Sequence, residues 1–445
     1  MRESIAAMKK IVRENEPDWI ALRRDIHRHP ETGWLEMRTS AVIHKRLTEL
    51  GYTVLTGSRA VSSGARMGVP DADTLSEHAL DVEKQEGTPV PYLTDEMRAG
   101  LTGAVGILDC GPGPVVGLRF DIDALPMTER SDPEHRPARE GFASGTPGMM
   151  HACGHDAHVA IGLGTAQVLS ALRDQLHGTV KLFFQPAEEG ARGARAMAAA
   201  GHADDVDFFI GAHVAPTGSL DDGDVTAGTW GSLATSKLDV TFTGLAAHAG
   251  GYPEQGRNAL LAAASAVLAL HAIPRHSGGQ SRVNVGTLRA GGGRNVIPDR
   301  AFLQAEVRGE TTEINAYMED QARAICRGAA AMQGCGCEIT LAGQAEGQRS
   351  DPELISRIAA VVQRDLPELT LSSEQNARNW GSEDISVLMN RVQARGGLAT
   401  YMRVMTPMAG AQHTVSFDFD EKVIGRGVEV FCAAVLDLMK GGPER

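Results

Sequence analysis

Cysteine is scarce in this 445-residue chain: Cys110, Cys153, Cys326, Cys335, Cys337 and Cys432 are its only six. Thiols so few and so scattered do not make the disulfide framework of a small secreted domain. Reduced thiols in a cytoplasm fit better, which leaves Cys153 free for other chemistry. No apolar run is long enough to span a bilayer. The most tempting, 259–273, is rich in alanine, carries His271 and reads as a packed helix. Residues 1–20 mix Arg, Glu, Lys and Asp with apolar side chains, so export is not indicated. Lys and Arg form no phosphate-binding stripe and the formal net charge is −13, which argues against a nucleic-acid partner. Internal repeats and low-complexity tracts are missing as well.

Hydrophobic residues make up 42% of the chain and charged residues 22%, the balance of an ordinary folded protein. The length exceeds what one core usually organises, so two domains are expected. A helix over 3–29 is followed by a second ending near Gly51. Residues 57–100 then turn polar and Pro/Gly-punctuated around a short helical pattern at 75–84, an excursion with no evident chemistry of its own. Strand-length apolar runs at 104–108, 115–120, 180–184 and 207–214 alternate with helical patterns at 158–172 and 193–200. That rhythm predicts an α/β domain, a mostly parallel sheet with helices on both faces, with ligands beyond the carboxyl ends of its strands. From about Leu233 the order becomes β-α-β-β-α-β, ending near 341, and helix–strand alternation then resumes. The expected division is a catalytic domain of 1–232 and 347–445 and an inserted, ferredoxin-like domain of 233–346.

Chemistry-bearing residues gather after the predicted strands. Met150-His151-Ala152-Cys153-Gly154-His155-Asp156-Ala157-His158 crowds a thiol, imidazoles and a carboxylate together, and a tight turn at Gly154 can aim Cys153 and His155 at one cation. The same segment also suits a helix N-terminus capped by Asp156. Gln185-Pro186-Ala187-Glu188-Glu189-Gly190 follows an apolar strand, and its paired carboxylates suit a metal ligand beside a proton acceptor, or merely a solvated acidic turn. His213 ends another apolar strand and His413 sits in a late loop; each alone is ambiguous. Four loops carrying metal-competent side chains at one sheet edge make coincidence a poor explanation.

Taken together, the chain resembles the amidohydrolase branch of the aminoacylase and hippurate hydrolase family of dinuclear metallopeptidases. The resemblance rests on the two clusters above with Asp-Ile-Asp-Ala-Leu-Pro (121–126), Gly-Ala-His (211–213), Phe-Thr-Gly-Leu-Ala-Ala-His-Ala-Gly (242–250), Arg-Asn-Val-Ile-Pro (294–298), Gly-Ser-Glu-Asp (381–384) and the His413 loop. It implies two divalent metal ions, manganese first and zinc as the alternative, held by Cys153, His155, Glu189, His213 and His413. Glu188 would be the general base and Asp123 a carboxylate that orients a ligand. Peptidase members of the wider superfamily have His-x-Asp where this chain has Asp121-Ile122-Asp123, and the Cys153/His155 pair takes the place of that imidazole.

The resemblance also implies that the inserted domain is a lid and dimerisation domain. Its His248 would stabilise the oxyanion in a dimer partner's site. Asn295, Arg308 and Arg294 would bind the substrate carboxylate. The implied reaction is hydrolysis of the amide of an N-acyl or N-aroyl amino acid. Segment 66–70 of the excursion points within the branch to members acting on p-aminobenzoyl-glutamate, in folate catabolism. Hippurate, N-acetyl amino acids and indoleacetyl-aspartate are the alternative substrates. A homodimer, or a heterodimer with a paralogous chain, is implied. A silent, non-catalytic subunit is the reading from a different class, and the presence of Glu188 and His248 weighs against it.

Overall fold

The computed structural model describes residues 2–218, 223–379 and 381–440. Contacts divide the chain into two compact units. The larger comprises Met1–Trp230, Arg349–Arg378 and Val387–Arg445, and the smaller Gly231–Gln348 with Asn379–Ser386. The sequence pattern places residues 379–386 in the larger domain; in the structure they cluster with the smaller one.

In the larger unit β1 (Thr53–Thr56), β2 (Ala104–Asp109), β3 (Val115–Asp121), β4 (Thr179–Gln185), β5 (Phe208–Pro216) and β6 (Val225–Thr226) join a seven-stranded sheet, while β7 (Gly228–Trp230) pairs elsewhere. The smaller unit holds β8 (Ala234–Thr243), β9 (Ser281–Ala290), β10 (Arg300–Gly309) and β11 (Gly336–Ala345). The larger unit is completed by β12 (Asn376–Arg378), the parallel partner of β7, and β13 (Leu398–Thr406).

The order of the large sheet is β1-β2-β4-β3-β5-β13-β6. Its centre, β4-β3-β5-β13, is parallel, whereas β1, β2 and β6 pair antiparallel at the margins. The central strands are buried almost end to end, as strands covered on both faces must be. Helix His155–Ala171 packs against β3, β4 and β5, and Gly162 makes that approach possible: a Cβ there would lie 2.6 Å from the Phe184 ring. Phe120 sits between Phe184 and Phe431 at ring-centroid distances of 5.5 and 5.0 Å, anchoring β3, β4 and helix Val423–Leu438 in one core.

The 57–100 excursion has a small core of its own. Leu75, Ala79 and Val82 recur at helical spacing on helix Ala72–Lys84 and pack against Leu35, Met37, Ala41, Leu93 and Met97. Asp71 caps that helix by accepting the Thr74 N–H at 2.8 Å.

The smaller unit has the element order β-α-β-β-α-β. Its antiparallel sheet runs β11-β8-β10-β9 and is packed by helices Ala259–His271 and Thr312–Met332. Alternate residues of β8 and β10, among them Leu238, Val240, Phe242, Leu303 and Val307, face the shared core.

Candidate metal centre

Because β4, β3, β5 and β13 are parallel, their carboxyl ends share one edge of the sheet. Asp121 ends β3 with Asp123 just beyond it, Glu188 and Glu189 follow β4, His213 lies near the end of β5, and His413 is in the loop after β13. Cys153 and His155 flank Gly154, whose φ of 106° is open to glycine but strained for any other residue. The helix predicted from residue 158 begins at His155, so this imidazole opens a helix rather than hanging from a loop.

The five side chains expected to hold metal converge. Cys153, His155 and His213 present ligand atoms all within 4.8 Å of one another, as do Cys153, Glu189 and His413. His155, Glu188 and Glu189 form a third such group. Sγ of Cys153 is 3.4 Å from Nε2 of His213, and Nε2 of His413 is 3.3 Å from Oε1 of Glu189. His413 takes a left-handed φ of 60°, pinned by its N–H to the Ala152 carbonyl at 2.7 Å. Gln412 donates to the Cys153 and Val214 carbonyls at 3.2 and 3.3 Å, joining this loop to the other two.

Hydrogen bonds set the imidazoles. Nδ1 of His213 donates to the Val214 carbonyl at 2.7 Å and Nδ1 of His155 to the Asp123 carbonyl at 2.9 Å, so each ring turns Nε2 to the site. Nε2 of His155 is buried with no hydrogen-bond partner, 3.7 Å from Asp121 and 4.0 Å from Glu188. Burial, the largest single influence, opposes charge on this ring, yet Asp121, Cys153 and Asp123 together outweigh it and hold the His155 pKa well above the usual imidazole range. The pocket therefore favours positive charge at that nitrogen, and a divalent cation fits it. Burial pushes the Cys153 thiol well up, so a cation must displace its proton to bind.

Asp123, the carboxylate expected to orient a ligand, contacts the turn after β4 and the His155 ring. Its two oxygens accept the backbone N–H groups of Glu188 and Glu189 at 3.1 and 2.9 Å, and Oδ1 is 3.3 Å from Nδ1 of His155. Asp156 does not cap its helix. It is fully buried and bonded to Nε of Arg23 at 2.6 Å and Nδ1 of His27 at 2.8 Å, which anchors the start of the His155 helix to helix Arg2–Arg28.

Sequence reasoning assigned no role to Asp121, His158 or Glu36. His158 donates from Nδ1 to Asp121 and accepts the Val214 N–H on Nε2 at 2.9 Å. With both nitrogens engaged it braces the end of β5, although Asp121, His155 and His158 also bring ligand atoms within 4.8 Å of one another. Asp121 is paired with buried Arg119 as well. The recurrence of histidine at 155 and 158 was the available signal for His158; nothing local marked Glu36, whose partners lie far along the chain.

In the smaller unit His248 is exposed and its loop pairs with the next site segment, Ala249 N–H donating to the Asn295 carbonyl at 3.0 Å. Its Nδ1 accepts the N–H groups of Gly250 and Gly251 at 3.2 and 2.9 Å, which leaves the proton on Nε2 and makes the exposed nitrogen a donor. Asn295 and Arg294 are exposed on that loop. Arg308 is already engaged, with Nε and one terminal nitrogen on Glu306 at 3.1 Å each and the other on the Ser382 hydroxyl at 3.3 Å.

Proteins similar to this chain over nearly its whole length are known. An indole-3-acetyl-aspartic acid hydrolase of Enterobacter agglomerans is 47% identical over 97% of this chain and 98% of its own. One of the named subunits of p-aminobenzoyl-glutamate hydrolase from Escherichia coli (strain K12) is 45% identical over 93% of this chain and 94% of its own. The crystal structure of an aminobenzoyl-glutamate utilization protein from Klebsiella pneumoniae superposes with a TM-score of 0.83 at 39% identity, covering 98% of this chain and all of the other. Residues 117–437, which run from β3 into the last helix, match the model of peptidase family M20/M25/M40, and the chain belongs to that family.

Proposed function

We propose that this protein hydrolyses the amide bond between an aromatic acyl group and an acidic amino acid, with p-aminobenzoyl-glutamate as the foremost substrate and p-aminobenzoate and glutamate as products. The observation that carries the reading is the convergence of Cys153, His155, Glu189, His213 and His413, with Glu188 grouped with His155 and Glu189 and Nε2 of His155 buried and unpaired. Two divalent cations held by those five side chains would supply Lewis acidity, making water nucleophilic at neutral pH and polarising the amide carbonyl. Glu188 takes the proton from the attacking water and passes it to the leaving amine. Manganese suits the imidazole and carboxylate donors and zinc is the alternative favoured by the thiol.

The relatives' names support the substrate class. Both 45–47% identical proteins are named for an aromatic acyl group on a dicarboxylic amino acid, so indoleacetyl-aspartate is the second reading. His248, with Nε2 as donor, suits oxyanion stabilisation, and Asn295 and Arg294 beside it suit a substrate carboxylate, as does Arg308 if Glu306 yields its fork. Leu260, Leu261 and Leu268 are 36%, 47% and 77% exposed on helix Ala259–His271, which supports a dimer formed through the smaller unit. The partner is a second copy or, since the Escherichia coli relative is named as one subunit of its enzyme, a paralogous chain. No helix among the described residues is long and apolar enough to cross a membrane. The cytoplasm is the proposed compartment.

The test is kcat/KM on p-aminobenzoyl-glutamate, indoleacetyl-aspartate, hippurate and an N-acetyl amino acid. A preference of about a hundredfold for an aromatic acyl-dicarboxylate supports the reading, as a site built for the carboxylate would give. Equal rates on the N-acetyl substrate would reject it.

A further inference from the structure

Three consecutive backbone N–H groups in the turn after β4 are held by two carboxylates. Asp123 takes those of Glu188 and Glu189. The third, from Ala187, goes to Oε1 of Glu36 at 2.7 Å, and Oε2 of Glu36 accepts the Thr102 hydroxyl at 2.7 Å. Glu36 is fully buried, far from the metal centre in sequence, and has no ligand atom in it.

The turn needs such anchors. Ala187 and Ala191 adopt φ of 51° and 60°, left-handed values that strain a residue with a β-carbon and persist only when surroundings enforce them. Close packing adds to the constraint, since a Cβ on Gly193 would meet the Pro186 carbonyl oxygen at 1.6 Å. Glu36 is itself fixed. Glu31 accepts the N–H groups of Arg38 and Thr39 at 2.8 Å each, and its backbone carbonyl takes the Ala124 N–H at 2.8 Å, next to Asp123. The 57–100 excursion grips the same segment: Nε2 of His78 is 3.1 Å from Glu31, and Trp34 Nε1 donates to the Met67 carbonyl at 2.7 Å. Arg192 closes the circuit by donating to the carbonyls of Gly68 and Glu189 at 3.0 Å each.

We propose that Glu36 is a positioning residue for Glu188: by holding the Ala187 N–H it fixes the strained turn that aims the Glu188 and Glu189 carboxylates, with the 57–100 excursion as the scaffold behind it. This rests on the reading of Glu188 as general base. It gives the excursion a role that its sequence, devoid of evident chemistry, did not disclose.

Two substitutions separate positioning from mere packing. Glu36→Gln keeps the acceptor for Ala187, and burial together with the charge of Asp123 already pushes the Glu36 carboxyl up to about 8, so a neutral amide is a close stand-in. Glu36→Asp draws the carboxyl back by one methylene and cannot span Ala187 and Thr102 together. With manganese-saturated protein and p-aminobenzoyl-glutamate, kcat of Glu36→Asp should fall by roughly tenfold to a hundredfold with KM little changed, the loss that a misplaced catalytic group of about 1 Å brings. Manganese affinity of the metal-stripped Asp variant, measured by titration, should weaken through Glu189, and Glu36→Gln should stay within about threefold of the parent in both readouts.

A Glu36→Asp protein that melts lower yet keeps full kcat and manganese affinity, or a Gln variant impaired as much as the Asp variant, would overturn the proposal. Should the Asp variant not fold, Thr102→Val, which removes only the second anchor, is read by the same criteria. Glu188→Gln run alongside distinguishes the failures: if it remains active the general-base reading falls, whereas an inactive Glu188→Gln beside an unimpaired Glu36→Asp rejects the role of Glu36 alone.

Discussion

Asp123 accepts the backbone N–H of Glu189 at 2.9 Å, so a carboxylate just past β3 holds the metal-competent turn that follows β4. Its other oxygen takes the Glu188 N–H and lies 3.3 Å from Nδ1 of His155. One side chain thus ties together the proposed base, one expected ligand and the ring of another.

Replacing Asp123 by Asn turns one of those acceptors into a donor facing backbone N–H. Activity should fall by about ten- to a hundredfold, the usual range for partners that orient metal ligands, with metal affinity falling in parallel. Steady-state kinetics together with metal content of dialysed protein checks this; unchanged values in both would contradict it.

Cys153 belongs to both of the groups that gather His213 and His413, so its substitution touches both halves of the centre. Cys153→Ser exchanges a soft donor for a hard one and should weaken zinc binding far more than manganese binding. Competitive titration of the metal-stripped variant with the two ions measures the difference, and equal losses for both would count against the thiol as a ligand.

Glu429, on the last helix, offers a test on stability. Burial, with the charge of Glu368 beside it, pushes its pKa up to about 7 from an ordinary value of 4.5. A raised carboxyl pKa favours the folded state below pH 4.5, and the benefit is lost as pH rises through about 7, where the group must ionise in a partly buried place. Glu429→Gln should therefore be more stable than the parent at pH 8, by up to about 2 kcal/mol after allowance for solvent screening, with no such gain at pH 4. Denaturant melts at the two pH values decide it; a gain of equal size at both would refute the electrostatic origin.

The metal centre was legible because its residue types announce themselves in short motifs after apolar strands. The parallel centre of the sheet was readable from the same alternation. The antiparallel pairing of β1 and β2 was not, because strand direction depends on partners that no local pattern names. Arg119, His158 and Glu36 escaped for a related reason: each works through a contact made by folding, such as the 151 positions that separate Glu36 from Ala187. Polarity hid the core of the excursion, where only Leu75, Ala79 and Val82 face inward along an otherwise polar helix. Arg308 shows the converse, a residue whose type suits carboxylate binding but whose fork the fold gives to Glu306.

Release of p-aminobenzoate from p-aminobenzoyl-glutamate, by the purified chain and by Glu188→Gln, addresses the central claim most directly. It should be followed after chelation and after adding back manganese or zinc. Expected are loss of release on chelation, recovery with manganese in the parent, and a fall of at least about a thousandfold in Glu188→Gln despite retained metal. Release that survives chelation, or a metal-loaded Glu188→Gln as active as the parent, would contradict the assignment of a metal-dependent amidohydrolase with Glu188 as its base.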